Sequence, residues 1–279
     1  MPDHRSRITV WKAAVFTVLF ASAVTTHAAP TAQQVVDASP IDDIIDQYPA
    51  MLNEGIRRGL SQGAQLQPFL VNSIGAVVSS AFSGADIERQ VVEDLQSSLG
   101  ESQLAAVADW YQTPLAKRIS KAEIEASSPS AWKAVQANGP ALVKEYQGTE
   151  LASLFDRYDQ AARATQSAVD TAIAMQFSMA AAMNALKGSG AMPVGELRQQ
   201  VESRRTMLRG QVGRQVYTAY LYTYNAFTPE ELREYLAFLE SDAGSAFTRV
   251  STQSIQKALM EPVDMISRKL GQLLGNGAF

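Results

Sequence analysis

Apolar side chains recur at three- and four-residue intervals along almost all of this chain, a spacing that admits little besides helix packed on helix. Ile41, Ile44, Ile45, Tyr48 and Leu52 trace one buried face. Leu66, Phe69, Leu70 and Ile74 trace another, and Ile87, Val91 and Leu95 a third. Alternating apolar and polar runs of strand length, bounded by turn residues, are hard to find. The chain reads as all-α. Its 46% apolar content is enough for a real core, and 279 residues suffice for one large domain or two smaller ones.

A second regularity appears when Leu104 is set against Leu232, a shift of 128 positions. At that shift Trp110 meets Phe238, Thr113 meets Ser241, Ala116 meets Gly244 and Ile119 meets Phe247. Upstream, Leu99 meets Phe227, Met51 meets Met179, Ile45 meets Ile173 and Ile41 meets Val169. The shared register points to duplication of a unit of about four helices, and the alternative is chance alignment of two amphipathic stretches. Asn138-Gly139-Pro140 reads as a helix stop. Leu151, Leu154, Phe155, Tyr158, Ala162, Thr165, Val169, Ile173, Phe177, Ala180 and Met183 then predict one long helix that ends at Gly188-Ser189-Gly190. The expectation is a helical bundle of two tandem copies joined by a long helix. Its boundaries are a signal peptide over 1–28, a flexible leader over 29–40, a first repeat over 41–140, the connecting helix over 141–168 and a second repeat over 169–279.

The first 28 residues have the three parts of a secretory signal: basic Arg5, Arg7 and Lys12, an apolar or small stretch from Ala13 to Val24, and Thr26-His27-Ala28 before Ala29. The apolar stretch is shorter than the roughly 20 residues that span a bilayer, so cleavage after Ala28 is expected, with an uncleaved anchor as the alternative. Cleavage removes His4 and His27, the only histidines, and the chain has no cysteine. Ser-His-Asp and Cys-His catalysis, His or Cys zinc sites and His-held haem are then excluded, and no cofactor is expected. Losing three basic residues and Asp3 leaves 21 Lys and Arg against 27 Asp and Glu, a net charge of −6. That balance argues against nucleic acid as a partner.

Thr228-Pro229-Glu230-Glu231-Leu232, followed by Ala237-Phe238-Leu239-Glu240-Ser241-Asp242-Ala243-Gly244, resembles the signature of a bacterial exported family, domain of unknown function 2059. Leu104 through Asp109-Trp110-Tyr111-Gln112-Thr113-Pro114-Leu115-Ala116 resembles it too. Ala116 stands where the family usually has Gly, Asp242 where it has Pro, and Leu239 where it has a second aromatic. The resemblance implies an exported helical protein and carries no established activity. Physically, Thr228 suits an N-cap, Pro229 the first helical position, and Glu230 and Glu231 the positive end of the dipole. Ser241 and Asp242 suit the cap of a following helix, with Gly244 at a close approach. Trp110, Tyr111, Thr113, Pro114, Phe238, Ser241 and Gly244 are therefore expected to form structural helix corners, with ligand binding as the alternative.

Several groups could carry chemistry. Ser130-Ala131-Trp132-Lys133 fits Ser-x-x-Lys, without the companion elements of penicillin-binding enzymes, and Trp132 is expected to be a packing residue. Asp42, Asp43 and Asp46, and Glu230 and Glu231, could supply the carboxylates of a glycoside hydrolase, although helix starts favour such charges anyway. Arg198, Arg205 and Arg209 fall on one helical stripe able to grip phosphate or carboxylate, or else are simply solvated. Tyr217, Tyr220 and Tyr224 share a face that either stacks on sugars or apolar chains or belongs to the core with hydroxyls at its rim. Met175, Met179 and Met183 could line a groove, a homodimer seam or the core. The reading that results is an exported, non-catalytic binding protein, periplasmic or secreted and not membrane-spanning after cleavage. Its partner is an envelope polymer, a lipid or another protein. A carboxylate hydrolase and a purely structural, self-associating protein are the alternatives.

Overall fold

The computed structural model describes residues 29–50, 83–185, 190 and 192–275. The expected signal peptide over 1–28 lies outside the described residues. So do Met51, Leu52, the stretch from Leu66 to Ile74, Gly188, Ser189 and the side chains of Met175, Met179 and Met183. Every regular element among the described residues is a helix.

The segment expected to be a flexible leader over 29–40 instead contains a docked helix, α1 (Ala32–Ala38). Thr31 Oγ1 accepts from the Gln34 N–H at 3.2 Å, and Gln34 Oε1 accepts from the Thr31 N–H at 2.9 Å. Two donors at the helix start are thereby satisfied. Ala32, Val35 and Val36 are fully buried against α3 (Gly84–Ser98) and α4 (Glu101–Gln112). Few large apolar groups are needed to seat a seven-residue helix when three of its side chains lose all contact with water. Between α1 and α3 stands α2 (Ile41–Ile45), whose Ile45 is also fully buried.

After α4 come α5 (Pro114–Ala126) and α6 (Pro129–Tyr146). The expected stop at Asn138-Gly139-Pro140 does not stop the chain, because α6 runs through it. Gly139 is buried, and a Cβ there would meet Thr218 Cγ2 at 3.2 Å, so the glycine serves a close crossing of α6 over a later helix. The long connecting helix is likewise corrected. The chain forms α7 (Glu150–Ser153), α8 (Phe155–Ala162) and α9 (Ala164–Ala185), separated at Leu154 and Arg163. Arg163 adopts φ 54° and ψ 28°, the left-handed conformation that ends a helix. Asp159 then accepts from the Thr165 N–H at 2.7 Å and helps start α9. Periodicity continues across the break because the next helix presents the same face to the core.

A bent pair, α10 (Val194–Glu202) and α11 (Arg205–Tyr224), follows, then α12 (Pro229–Glu240) and the 34-residue α13 (Asp242–Gly275). At 1.5 Å per residue α13 is about 50 Å long. It packs on α3, α4, α9 and α12. Ser254 on α13 donates to Asp94 Oδ2 on α3 at 2.7 Å, a polar tie within that contact. One large core cluster joins α1 through α5 with α7, α11, α12 and α13, and a smaller one gathers Val169, Ile173, Val201 and Leu208 where α9, α10 and α11 meet.

Candidate functional site

The two motif segments form two helix corners that face each other. At the first, Thr113 stands between α4 and α5 with φ −66° and ψ 148°, and its hydroxyl accepts from the Ala116 N–H at 3.1 Å. At the second, Ser241 stands between α12 and α13 with φ −65° and ψ 160°, and its hydroxyl accepts from the Gly244 N–H at 3.0 Å. Pro114 occupies the first turn of α5. Trp110 stacks on Phe238 at 4.7 Å with an interplanar angle of 8°, while Tyr111 meets Phe238 and Phe247 edge-on. A Cβ on Gly244 would lie 2.0 Å from the Phe238 carbonyl oxygen, so only glycine fits this corner.

Next to the corners lies a group that the sequence reading did not single out. Glu123 on α5 points inward, and its Oε1 accepts from Tyr224 at 2.6 Å and Tyr235 at 2.7 Å. Tyr224 also reaches Tyr158 at 3.3 Å, so α5, α8, α11 and α12 meet on one carboxylate. Burial pushes the Glu123 carboxyl above its ordinary value, and the two tyrosine hydrogen bonds offset part of that rise. Burial also raises Tyr111, Tyr158, Tyr224 and Tyr235. The clue in the sequence is register, since Glu123 continues the buried stripe of Ala116 and Ile119 at helical spacing.

The tyrosine face turns inward. Tyr220 and Tyr224 are 3% and 1% exposed, and Tyr217 packs edge-on to Phe155 at 4.8 Å. Tyr220 donates to the Leu151 carbonyl at 2.9 Å. Tyr220 and Tyr224 thus belong to the core, and Tyr217 is half-buried at its edge.

The arginine stripe is divided between two helices at Ser203-Arg204. Arg205 pairs with Asp170 and with Glu202, and both partners hold its guanidinium more firmly protonated. Gln166 donates to both Asp170 oxygens at 3.0 and 2.9 Å and accepts from Arg209 at 3.5 Å. Arg198 differs. It has no carboxylate partner among the described residues, and its guanidinium lies 4.6 Å from the centre of the Phe177 ring. Asp170, Phe177, Arg198, Glu202 and Arg205 border a cleft of about 130 Å³ that is also lined by Ile173, Val201 and Gln256. An apolar wall, the Arg198 guanidinium and two carboxylates that share the Arg205 guanidinium thus meet in one place.

The remaining candidates have local duties. Glu231 accepts from the Thr228 N–H at 2.9 Å and pairs with Arg118 at 2.5 Å, and Glu230 pairs with Arg233 at 3.2 Å. The backbone hydrogen bond at Thr228, then Arg118, holds the Glu231 carboxyl below its ordinary value. Burial raises the Asp42 carboxyl, with Glu88, Asp46, Asp43 and Asp37 adding to the rise. Ser130 shares a hydrogen bond with Ser128 at 3.0 Å. Trp132, expected to pack, is 46% exposed, because its side of α6 faces away from the bundle.

Residues 85–145, from α3 to the end of α6, match the family described as "Uncharacterized protein conserved in bacteria (DUF2059)". The chain is similar to that family over this segment. Within it lie the Trp110 corner and Glu123. No curated protein and no solved structure matches the chain. No described helix is long and apolar enough to cross a membrane.

Proposed function

We propose that this protein, a member of the DUF2059 family by its matching segment, is exported and acts by binding, without catalysis, and that the cleft at Arg198 grips the anionic end of an envelope molecule. The observation that carries the reading is the Arg198 guanidinium, set over Phe177 beside Ile173 and Val201 and in no ion pair among the described residues, while Glu202 and Asp170 in the same cleft are held by Arg205. A cation held against a ring and open to a cleft attracts phosphate or carboxylate, and the apolar wall suits a short hydrophobic part. The volume limits the ligand. Pockets for whole drug-sized molecules run to about 300–1,000 Å³, whereas a cavity of roughly 150 Å³ admits a benzene ring. About 130 Å³ suits one end of a larger molecule. The buried carboxylate at Glu123 is taken up by two tyrosines, which supports a structural duty for it rather than hydrolysis.

Tandem duplication belongs to the same reading. It is supported by α4 and α12, both twelve residues long and placed 128 positions apart, and by the matching corner caps Thr113 and Ser241. Removal of a leader after Ala28 and a periplasmic or secreted location complete it.

Phenyl phosphate, small enough for the cleft, tests the binding reading. It should raise the melting temperature of the purified protein in a concentration-dependent way, and Arg198→Gln should abolish the rise. An equal rise in the variant, or none in the wild type, would remove the cleft from consideration.

A further inference from the structure

The α10–α11 rod concentrates positive charge on a chain that is otherwise acidic. From Arg198 to Arg214 there are five arginines and one acidic residue, Glu202, whereas the chain as a whole carries a net charge of −4. Arg198 and Arg205 line the cleft, which leaves Arg204, Arg209 and Arg214 outside it. Ser203 and Arg204 keep right-handed helical backbone, with φ/ψ of −60°/−19° and −86°/−7°, so the two helices form one bent rod. Its inner face is Leu197, Val201 and Leu208, all buried. At 100° per residue, Arg204, Met207, Gln211 and Arg214 share an arc of about 80° that borders that stripe on one side. Arg204, Gln211 and Arg214 are exposed, and Met207 is 59% exposed. Arg204 and Arg214 enter no ion pair among the described residues, in contrast to Arg205. Val194, at the start of the same rod, is 61% exposed.

We infer that the face bearing Arg204, Met207 and Arg214 docks on a bilayer surface rich in anionic phospholipid. Unpaired guanidinium groups attract headgroup phosphates, and an exposed methionine between them can enter the boundary between headgroups and acyl chains. Segregating the arginines on one rod gives the molecule a positive side while its remaining charge is negative, which orients it on an anionic plane. A lipid surface accepts both the charge and the apolar group. The inference stands on residues outside the Arg198 cleft, so either reading can fail without the other.

Sedimentation with lipid vesicles tests it on the whole purified protein. Binding to vesicles of phosphatidylcholine and phosphatidylglycerol is expected, with little binding to phosphatidylcholine alone and release on raising the salt. Removing two arginines as Arg204→Gln with Arg214→Gln should weaken binding by roughly 25-fold, at about fivefold for each basic residue. Met207→Ser should weaken it further while the circular dichroism spectrum stays unchanged. Arg198→Gln should keep vesicle binding. Equal binding to neutral vesicles, no binding to either kind, or undiminished binding by the double variant would overturn the inference. Loss of vesicle binding in Arg198→Gln alone would also overturn it, by placing lipid recognition in the cleft.

Discussion

The Glu123 carboxylate turns burial into pH dependence. Its folded value is raised, so just above the ordinary 4.5 the native state keeps a proton that the unfolded chain has released. The stability this contributes is fully present below 4.5 and is lost as pH rises through the folded value. Glu123→Gln keeps the shape and an acceptor for Tyr224 and Tyr235 while removing the titration. Thermal unfolding followed against pH should therefore decline less in the variant above pH 4.5 than in the wild type, and parallel profiles would contradict the assignment. Glu231 works in the opposite sense, because its folded value is depressed and its contribution is lost as pH falls. The sequence hid Glu123 because a glutamate on an amphipathic helix is normally solvated. The buried positions Ala116 and Ile119 that flank it supply the register, but four helices had to be assembled before three tyrosines could be seen around it. The arginine stripe was legible as a helical face. That Arg205 is committed to Asp170, 35 positions away, depends on packing that spacing does not encode.

Helix starts were the most readable elements, since a cap needs only residues close in sequence. Thr113, Thr228 and Ser241 do what their residue types suggest. Helix ends were less readable. Gly139 and Pro140 look like a stop, yet the glycine answers a crossing helix at Thr218, and an arginine rather than a glycine ends α8. Only one corner requires glycine. The first, with ψ of 148° at Thr113, holds Ala116, whereas the second, with ψ of 160° at Ser241, leaves no room for a methyl group. Gly244→Ala should cost about 2–3 kcal/mol by overpacking, measured as a lowered denaturant midpoint with an unchanged slope. A change within about 0.5 kcal/mol would show that the corner yields.

Across the whole molecule, the stacked pair Trp110 and Phe238 joins segments 128 positions apart. The Trp110 ring nitrogen finds no acceptor among the described residues, so its worth lies in area and stacking rather than hydrogen bonding. Trp110→Ala should cost roughly 3 kcal/mol, and Trp110→Phe, which keeps a ring against Phe238, less than about 1 kcal/mol. Equal losses, read from urea unfolding, would mean that the stack does not hold the corners together. The all-helical class and the paired corners were legible because they rest on spacing. The breaks at Leu154 and Arg163 and the uninterrupted run of α13 were not, because they depend on what each helix meets.

The chief wall of the bundle, α13, is translated after every helix it covers. Until it emerges, the sides of α3 and α9 that it covers stay open to water, while α1 already packs on α3, and α10 and α11 on α9. Closure of those last sides waits for the carboxyl-terminal third of the chain, and full protease resistance should come with that segment.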